Sequence, residues 1–326
     1  MTDLLFSGPF AKEMTEFILT KRATGLKYET EAGIIARFGK YLAENYPTAT
    51  TLTKEMVTGW CAMSPWETLR NRASRSTVIR QFSIFLVKLG RDAWILPTGI
   101  YQKVPKYVPH IYTTDELRRF FAATDACHFT REVPFRHLVM PEFFRLLFAC
   151  GLRSSEARLL KAEDVDLDTG ILTVLNSKNG NDRLVPISAS IVGRLRIYVD
   201  KIHAASNDCV WFFPGFKEKP MTLGNVYKNF RRFLWKAGIS HTGDGPRVHD
   251  FRHTFCVYRL REWASTGKDL LAMLPILCTY LGHKSLADTA YYLQWTADVF
   301  PEIRLQLESA YAAIVPDLER TPDETN

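Results

Sequence analysis

His249-Asp250-Phe251-Arg252-His253 opens the stretch on which the reading of this chain turns, and Leu281-Gly282-His283-Lys284-Ser285-Leu286-Ala287-Asp288-Thr289-Ala290-Tyr291-Tyr292 closes it. The run between them is mostly apolar, so two histidines, an arginine and a tyrosine pair are expected on two helical segments joined by a buried stretch. No glycine-rich phosphate loop accompanies them, and no carboxylate cluster suited to Mg²⁺. Cationic donors beside a phenol, without metal ligands, suit the transfer of a phosphodiester onto a tyrosine. His249 and His253 do stand at the i, i+4 spacing of a zinc pair. Arg252 between them opposes a cation, however, and no glutamate fills the general-base position of the zinc-protease motif, so neither a metal nor another cofactor is expected.

Upstream, an almost wholly apolar helix at about Pro141 to Cys150 runs straight into Gly151-Leu152-Arg153-Ser154-Ser155-Glu156. A cation and an anion at a turn between buried helices call for pairing or a ligand, because isolated charges are costly there. From Asp164 to Pro186 the period changes to two. Ile171 to Leu175 reads as a strand, Asn179-Gly180 as a hairpin turn and Arg183 to Ile187 as the return strand, with Lys178 at the hairpin's mouth. Helices resume near Ala189, and Thr222 caps one that bears Lys228, Arg231, Arg232 and Lys236. Tyr227, Phe230, Phe233 and Trp235 interleave those cations, a pattern that fits one face in a core and the other towards nucleic acid.

The first part of the chain is helical in period. Phe10, Met14, Phe17 and Ile18 make one apolar stripe, and Ile34, Ile35, Phe38, Tyr41 and Leu42 a second. Thr53 begins a short third helix, and a fourth is expected from Ser74 or Ser76 to Gly90. Arg70, Arg72, Arg75 and Arg80 lie around that helix start, where backbone N–H groups also favour phosphate. Pro97, Gly99, Pro105 and Pro109 exclude helix, so an extended linker is expected, with Lys103 and Lys106 available to a polyanion's backbone. A new domain opens at Thr113-Thr114-Asp115-Glu116, where either threonine is a natural N-cap.

At 326 residues the chain is long enough for two cores, and 46% hydrophobic with 13% aromatic residues marks it as globular. Its net charge of +7 fits a polyanion partner. The six scattered cysteines read as small buried hydrophobes in a reducing compartment, and no run is apolar and long enough for a membrane span. A cytoplasmic location follows from these features. The expected fold is mainly α with a small antiparallel sheet. The domains are a helical domain over 1–96, a linker over 97–112, an α+β domain over 113–315 and a polar, disordered tail over 316–326.

Taken in order, these motifs resemble the tyrosine recombinases, also called the phage integrase family. Gly-Leu-Arg-Ser-Ser-Glu at 151–156 looks like the family's first arginine box, with Arg153 as the arginine and Glu156 as the carboxylate. Lys178 looks like the catalytic lysine, His249 and Arg252 match His-x-x-Arg, and His283 in Leu-Gly-His with Tyr292 matches the final box. The resemblance covers roughly 113–313, with 8–96 as the helical core-binding domain expected before it. Register from His283 and Thr289 favours Tyr292 over Tyr291 as the nucleophile.

The resemblance implies a site-specific recombinase that cuts and rejoins duplex DNA through a 3′-phosphotyrosine, without metal or ATP, in integration, transposition or resolution of a mobile element. Arg153 and Arg252 would hold the non-bridging oxygens, His249 would accept the phenol proton, His283 would bond the phosphate and Lys178 would protonate the departing 5′-oxygen. It further implies a tetramer on two DNA sites, joined by exchange of a C-terminal helix carrying Val299, Ile303, Leu307, Ala310 and Ile314, and leaves room for accessory DNA-bending proteins. Singly, each residue has a plainer explanation: a helical histidine is usually structural, a lysine beside a turn is solvated, and Arg153 can simply pair with Glu156. Their joint occurrence carries the catalytic reading. A type IB topoisomerase and a non-cleaving DNA-binding protein stay as alternatives.

Overall fold

In the computed structural model, the residues described are 6–100, 107–175, 182–203, 210–243 and 245–299. Lys103, Lys106, Lys178, the Asn179-Gly180 turn, Ile303, Leu307, Ala310, Ile314 and the tail 316–326 lie outside them. The chain divides into two compact units, residues 1–106 and 107–326.

The first unit holds α1 (Ala11–Ala23), α2 (Glu29–Asn45), α3 (Lys54–Trp60) and α4 (Leu69–Lys88). Residues three and four apart on each helix meet in one core: Met14, Phe17 and Ile18, then Ile35, Phe38 and Leu42, then Val57, then Ile79, Phe82 and Leu86. The Phe17 and Phe82 rings meet edge to face at 5.6 Å. α4 starts at Leu69, ahead of the serines expected to open it, with the Thr68 hydroxyl accepting the Asn71 N–H at 3.2 Å. Its first buried residue is Ser76, so the opening turns bury no apolar stripe and leave no period to read. Polar bonds to the preceding loop hold them instead.

The second unit is mostly helical with one small sheet. Its helices are α5 (Thr114–Asp125), α6 (Arg136–Cys150), α7 (Ser154–Arg158), α8 (Ala189–His203), α9 (Leu223–Lys236), α10 (Asp250–Ser265), α11 (Leu270–Leu281) and α12 (Leu286–Val299). α5 begins in a capping box between Thr113 and Glu116. α6 starts at Arg136, a turn before the proline expected to open it, and carries Pro141 inside it. The sheet runs β1 (Val165–Asp166), β2 (Ile171–Val174), β3 (Arg183–Pro186), antiparallel throughout, with Leu172 opposite Val185 and Val174 opposite Arg183.

The core of this unit is aromatic, with Phe120, Phe143, Phe144, Phe230, Phe233 and Phe251 all fully buried. Phe251 lies between His249 and Arg252 in sequence and stacks on Tyr112 at 4.9 Å, so the core itself fixes the start of α10. Residues 107–112, read from the sequence as the end of a linker, are packed on that helix. Tyr112 N–H donates to Thr254 Oγ1 at 3.1 Å, the Tyr258 hydroxyl donates to the Tyr112 carbonyl at 3.0 Å, and the Tyr107 hydroxyl donates to Asp250. Among the described residues, no helix is long and apolar enough to cross a membrane, and five cysteines are free.

Candidate active site

The site grows from two helix ends. α6 stops on Gly151 at φ +57°, and α11 stops on Gly282 at φ +66°. Both need the left-handed region that favours glycine. A Cβ on Gly151 would also stand 2.6 Å from Phe255 Cδ1, so only glycine lets α6 end against α10. At Gly282 a Schellman turn forms, with Gly282 N–H donating to the Thr279 carbonyl and His283 N–H to that of Cys278.

Three consecutive carbonyls at the end of α11 then face side chains in place of a next helical turn. Each accepts from a different arginine: Tyr280 from Arg183 Nε at 2.8 Å, Leu281 from Arg252 Nη2 at 2.7 Å, and Gly282 from Arg153 Nη2 at 3.2 Å. Arg252 Nη1 also donates to the Gly151 carbonyl at 2.7 Å, stapling the two helix ends together. The negative end of the α11 dipole and its orphan carbonyls thus gather three cations at one place. Glu156 supplies the counter-charge. It accepts from Arg153 N–H at 2.8 Å and Arg153 Nη1 at 2.7 Å, and from both terminal nitrogens of Arg183. Burial pushes its carboxyl up, but the two arginines outweigh that and hold it at about 2.

The histidines and tyrosine lie alongside. His249, at the N-cap of α10, and His253, one turn into it, have rings 4.8 Å apart, and the His253 ring is 5.5 Å from that of Tyr292. The His283 ring is nearly parallel to Tyr292 at 6.2 Å, and its Nδ1 is 2.8 Å from Thr289 Oγ1. Tyr292 is 4% exposed and Tyr291 36%, so the two tyrosines face different surroundings. Burial lowers the pKa of all three histidines, helped at each by the charge of Arg252. His249 and His283 fall to about 4 and His253 to about 3, leaving each neutral near pH 7 with a lone pair to accept a proton. Although its ring packs on His253, the His249 residue remains exposed to solvent. Burial raises the Tyr292 phenol, the Cys256 thiol adds to that, and the Arg252 charge works against both. His253 Nδ1 is buried without a hydrogen-bond partner.

The basic surfaces follow from which side chains point outward. On α9, Lys228, Arg231, Arg232 and Lys236 are exposed while Val226, Phe230, Phe233 and Leu234 are buried. Tyr227 and Trp235 are exposed with the cations, and the Arg231 guanidinium lies 5.7 Å from the Tyr227 ring. On α4 the expected set divides. Arg70 is exposed, but Arg72 and Arg75 turn inward. Arg72 Nε donates to the Cys61 carbonyl at 2.9 Å, and Arg75 donates to both oxygens of Glu67 and to the Trp60 and Ala62 carbonyls. With its side chain 11% exposed, Arg75 anchors the α3–α4 loop. Arg80 is half-buried, with Nε enclosed.

Residues 111–298 match the family model described as the phage integrase family. The chain belongs to that family. It is 32% identical over 308 residues to the "Putative integrase/recombinase y4rB" of Sinorhizobium fredii, covering 92% of this chain and 97% of the relative. It is 30% identical over 196 residues to the tyrosine recombinase XerA of Thermococcus kodakarensis, covering 60% and 62% of the two chains. In fold it is similar to the XerH recombinase bound to difH DNA, with TM-score 0.59, 18% identity, and 81% and 74% of the chains covered. The Tn1549 transposon integrase aligns with TM-score 0.59 at 16% identity, covering 86% and 94%. This chain is therefore a tyrosine-type site-specific DNA recombinase, and the topoisomerase reading is not favoured.

Of the residues expected in the recombinase site, Arg153, Glu156, His249, Arg252, His283 and Tyr292 are brought together, and Lys178 lies outside the described residues. Sequence reasoning missed Arg183, which shares Glu156 and the α11 end. Its signal was present: strand alternation puts Arg183 on the same face as the buried Val185.

Proposed function

We propose that this recombinase cleaves duplex DNA by attack of the Tyr292 phenol on a scissile phosphodiester, forming a 3′-phosphotyrosine and releasing a 5′-hydroxyl. Arg153 and Arg252 hold the two non-bridging oxygens and stabilise the charge that builds on them. His249, neutral at physiological pH, takes the phenol proton, and His283 donates to a phosphate oxygen. Lys178 returns a proton to the departing 5′-oxygen; that role rests on the resemblance alone. A 5′-hydroxyl from a second duplex then reverses the step, so strands are exchanged without ATP and with no net loss of bonds.

The observation that carries this reading is the convergence of Arg153 and Arg252 on adjacent carbonyls of the α11 end, beside the Tyr292 ring. A bound phosphate offers those guanidiniums the same kind of acceptor, with a full charge. The exposed faces of α9 (Lys228, Arg231, Arg232) and α4 (Arg70) support duplex DNA as the partner of both units. The working form is a tetramer on two sites. An apolar groove of about 790 Å³ on the second unit, lined by Phe148, Phe255, Trp263, Ile276, Leu277 and Tyr280, has the chemistry to accept the terminal apolar stripe of a neighbouring protomer. A chain truncated after residue 299 that still synapsed and cleaved would refute that exchange. The setting is the cytoplasm, and the tasks that fit are integration, transposition or resolution of a mobile element.

The test is covalent trapping. Fragments from the flanks of the gene that bind the protein are nicked near the protected site and incubated with EDTA. Wild type and Tyr291→Phe should give a covalent protein–DNA band and Tyr292→Phe none. A band from Tyr292→Phe would move the nucleophile, and bound DNA without a band from wild type would favour a non-cleaving DNA-binding protein.

A further inference from the structure

Arg183 is a buried cation that the proposed chemistry does not use. It lies on β3, its side chain is 6% exposed, and all three guanidinium nitrogens are engaged. Nη1 and Nη2 form a fork on Glu156 at 3.0 and 2.9 Å, while Nε reaches the Tyr280 carbonyl at 2.8 Å. A guanidinium sealed this way costs desolvation that a well-packed apolar residue would avoid, so stability alone is a weak reason for it. Its connections point elsewhere. Through Oε1, Glu156 binds Arg183 Nη1 and Arg153 Nη1 at once, so the position of one guanidinium fixes the other. Through Tyr280, the same side chain holds the turn that presents the Leu281 and Gly282 carbonyls and then His283. Gly282 is shaped around it: a Cβ there would meet Arg183 Nη1 at 3.0 Å and Cδ at 3.2 Å.

We propose that Arg183 is a positioning residue for strand cleavage. It sets the Arg153 guanidinium through Glu156 and the His283 turn through the Tyr280 carbonyl, without touching the phosphate. This rests on the reading of Arg153 as a phosphate-holding group. A lysine cannot replace it, because one ammonium cannot form the fork on Glu156 and reach the carbonyl in the same plane.

The test uses the full chain in single-turnover covalent trapping on the nicked duplex. A matched duplex carries a neutral methylphosphonate at the scissile position. An arginine that holds phosphate charge matters less on the neutral group, so Arg153→Ala should lose less rate there and serves as the reference. Arg183→Met should bind the duplex like wild type and trap about 100-fold more slowly on the phosphate. On the methylphosphonate its deficit should shrink in parallel with that of Arg153→Ala, and Arg183→Lys should follow the same pattern. A wild-type rate in Arg183→Met overturns the proposal. So does a deficit equal on both duplexes while that of Arg153→Ala shrinks, since a loosened fold slows both alike. Should Arg183→Met fail to fold, Arg183→Lys carries the same comparison. If Arg153→Ala itself shows no difference between duplexes, the phosphate-holding reading fails, and this proposal with it.

Discussion

Glu156→Gln gives a direct test of how the site is held together. The Glu156 side chain is 2% exposed and accepts from Arg153 N–H, Arg153 Nη1 and both ends of the Arg183 fork. Its pKa falls from 4.5 to about 2. At about 1.4 kcal/mol per pKa unit, that corresponds to roughly 3 kcal/mol of stability carried by the ionised form. Glutamine keeps the size but replaces one acceptor oxygen with an N–H group, so each arginine loses one of its bonds to this side chain and both guanidiniums lose their counter-charge. Breaking a buried pair in this way costs about 3–5 kcal/mol. A loss of about 3–4 kcal/mol is therefore expected in urea unfolding followed by circular dichroism at pH 7.5. The sign of the pH dependence is fixed by the depressed folded pKa. The carboxylate's contribution is complete above the unfolded value of about 4.5 and is lost as pH falls from there towards about 2. The gap between wild type and Glu156→Gln should accordingly narrow by about 1 kcal/mol on going to pH 3.5. A gap below about 1 kcal/mol at pH 7.5, or one that does not change with pH, would refute the picture of a carboxylate shared by two arginines.

Four further outcomes follow from particular residues. Arg75→Ala should lower the urea stability of the first unit by about 2 kcal/mol and leave the salt dependence of DNA binding alone, since Arg75 is spent on Glu67 and two carbonyls. Arg70→Ala should do the reverse, reducing the slope of log affinity against log salt by about 1; equal effects from both would undo the inward–outward distinction. Gly151→Ala meets both φ +57° and a contact 2.6 Å from Phe255, and should cost about 2–3 kcal/mol. Phe255→Leu in the same chain should recover part of that, and no recovery would mean the steric contact is unimportant. Trapping rates at subsaturating DNA, which report the free protein, should stay flat from pH 8 to about 5.5 and fall below that, because His249 remains neutral down to about 4. An acid limb centred near the ordinary histidine value of 6.5 would contradict the lowered pKa of His249.

Much of this architecture is written in local pattern. Phe17, Phe38, Phe82 and their neighbours recur at helical spacing, and Leu172, Val174 and Val185 at strand spacing, so the helices and two of the strands could be read residue by residue. Two helix starts are exceptions. Leu69–Arg75 opens α4 behind the Thr68 cap with no buried apolar residue to mark a period, and Arg136–Met140 is an uncapped turn ahead of Pro141 held by the burial of Val139 and Met140. Arg75 looked like a surface cation because its partners, Glu67 and the Trp60 and Ala62 carbonyls, become a nest only when the loop closes. Each box of the site was legible by itself. What joins them was not, since a carbonyl has no letter in a sequence.

That joining also explains how three arginines can sit together before any phosphate arrives. Unpaired guanidiniums this close would repel one another and lose hydration, and Glu156 neutralises only one charge among them. The balance comes from backbone: the last carbonyls of α11 and that of Gly151 accept four of their hydrogen bonds, at the negative end of a helix. Arg252, fully buried, has its pKa lowered by burial and by Arg153, yet a guanidinium titrates so high that it stays charged. In the proposed reaction, a phosphodiester entering beside Tyr292 would therefore meet cations already oriented and already stripped of much of their water. The reorganisation that would otherwise accompany charge build-up at phosphorus has been met in folding, and this lets arginines and neutral histidines serve the transesterification proposed for this chain.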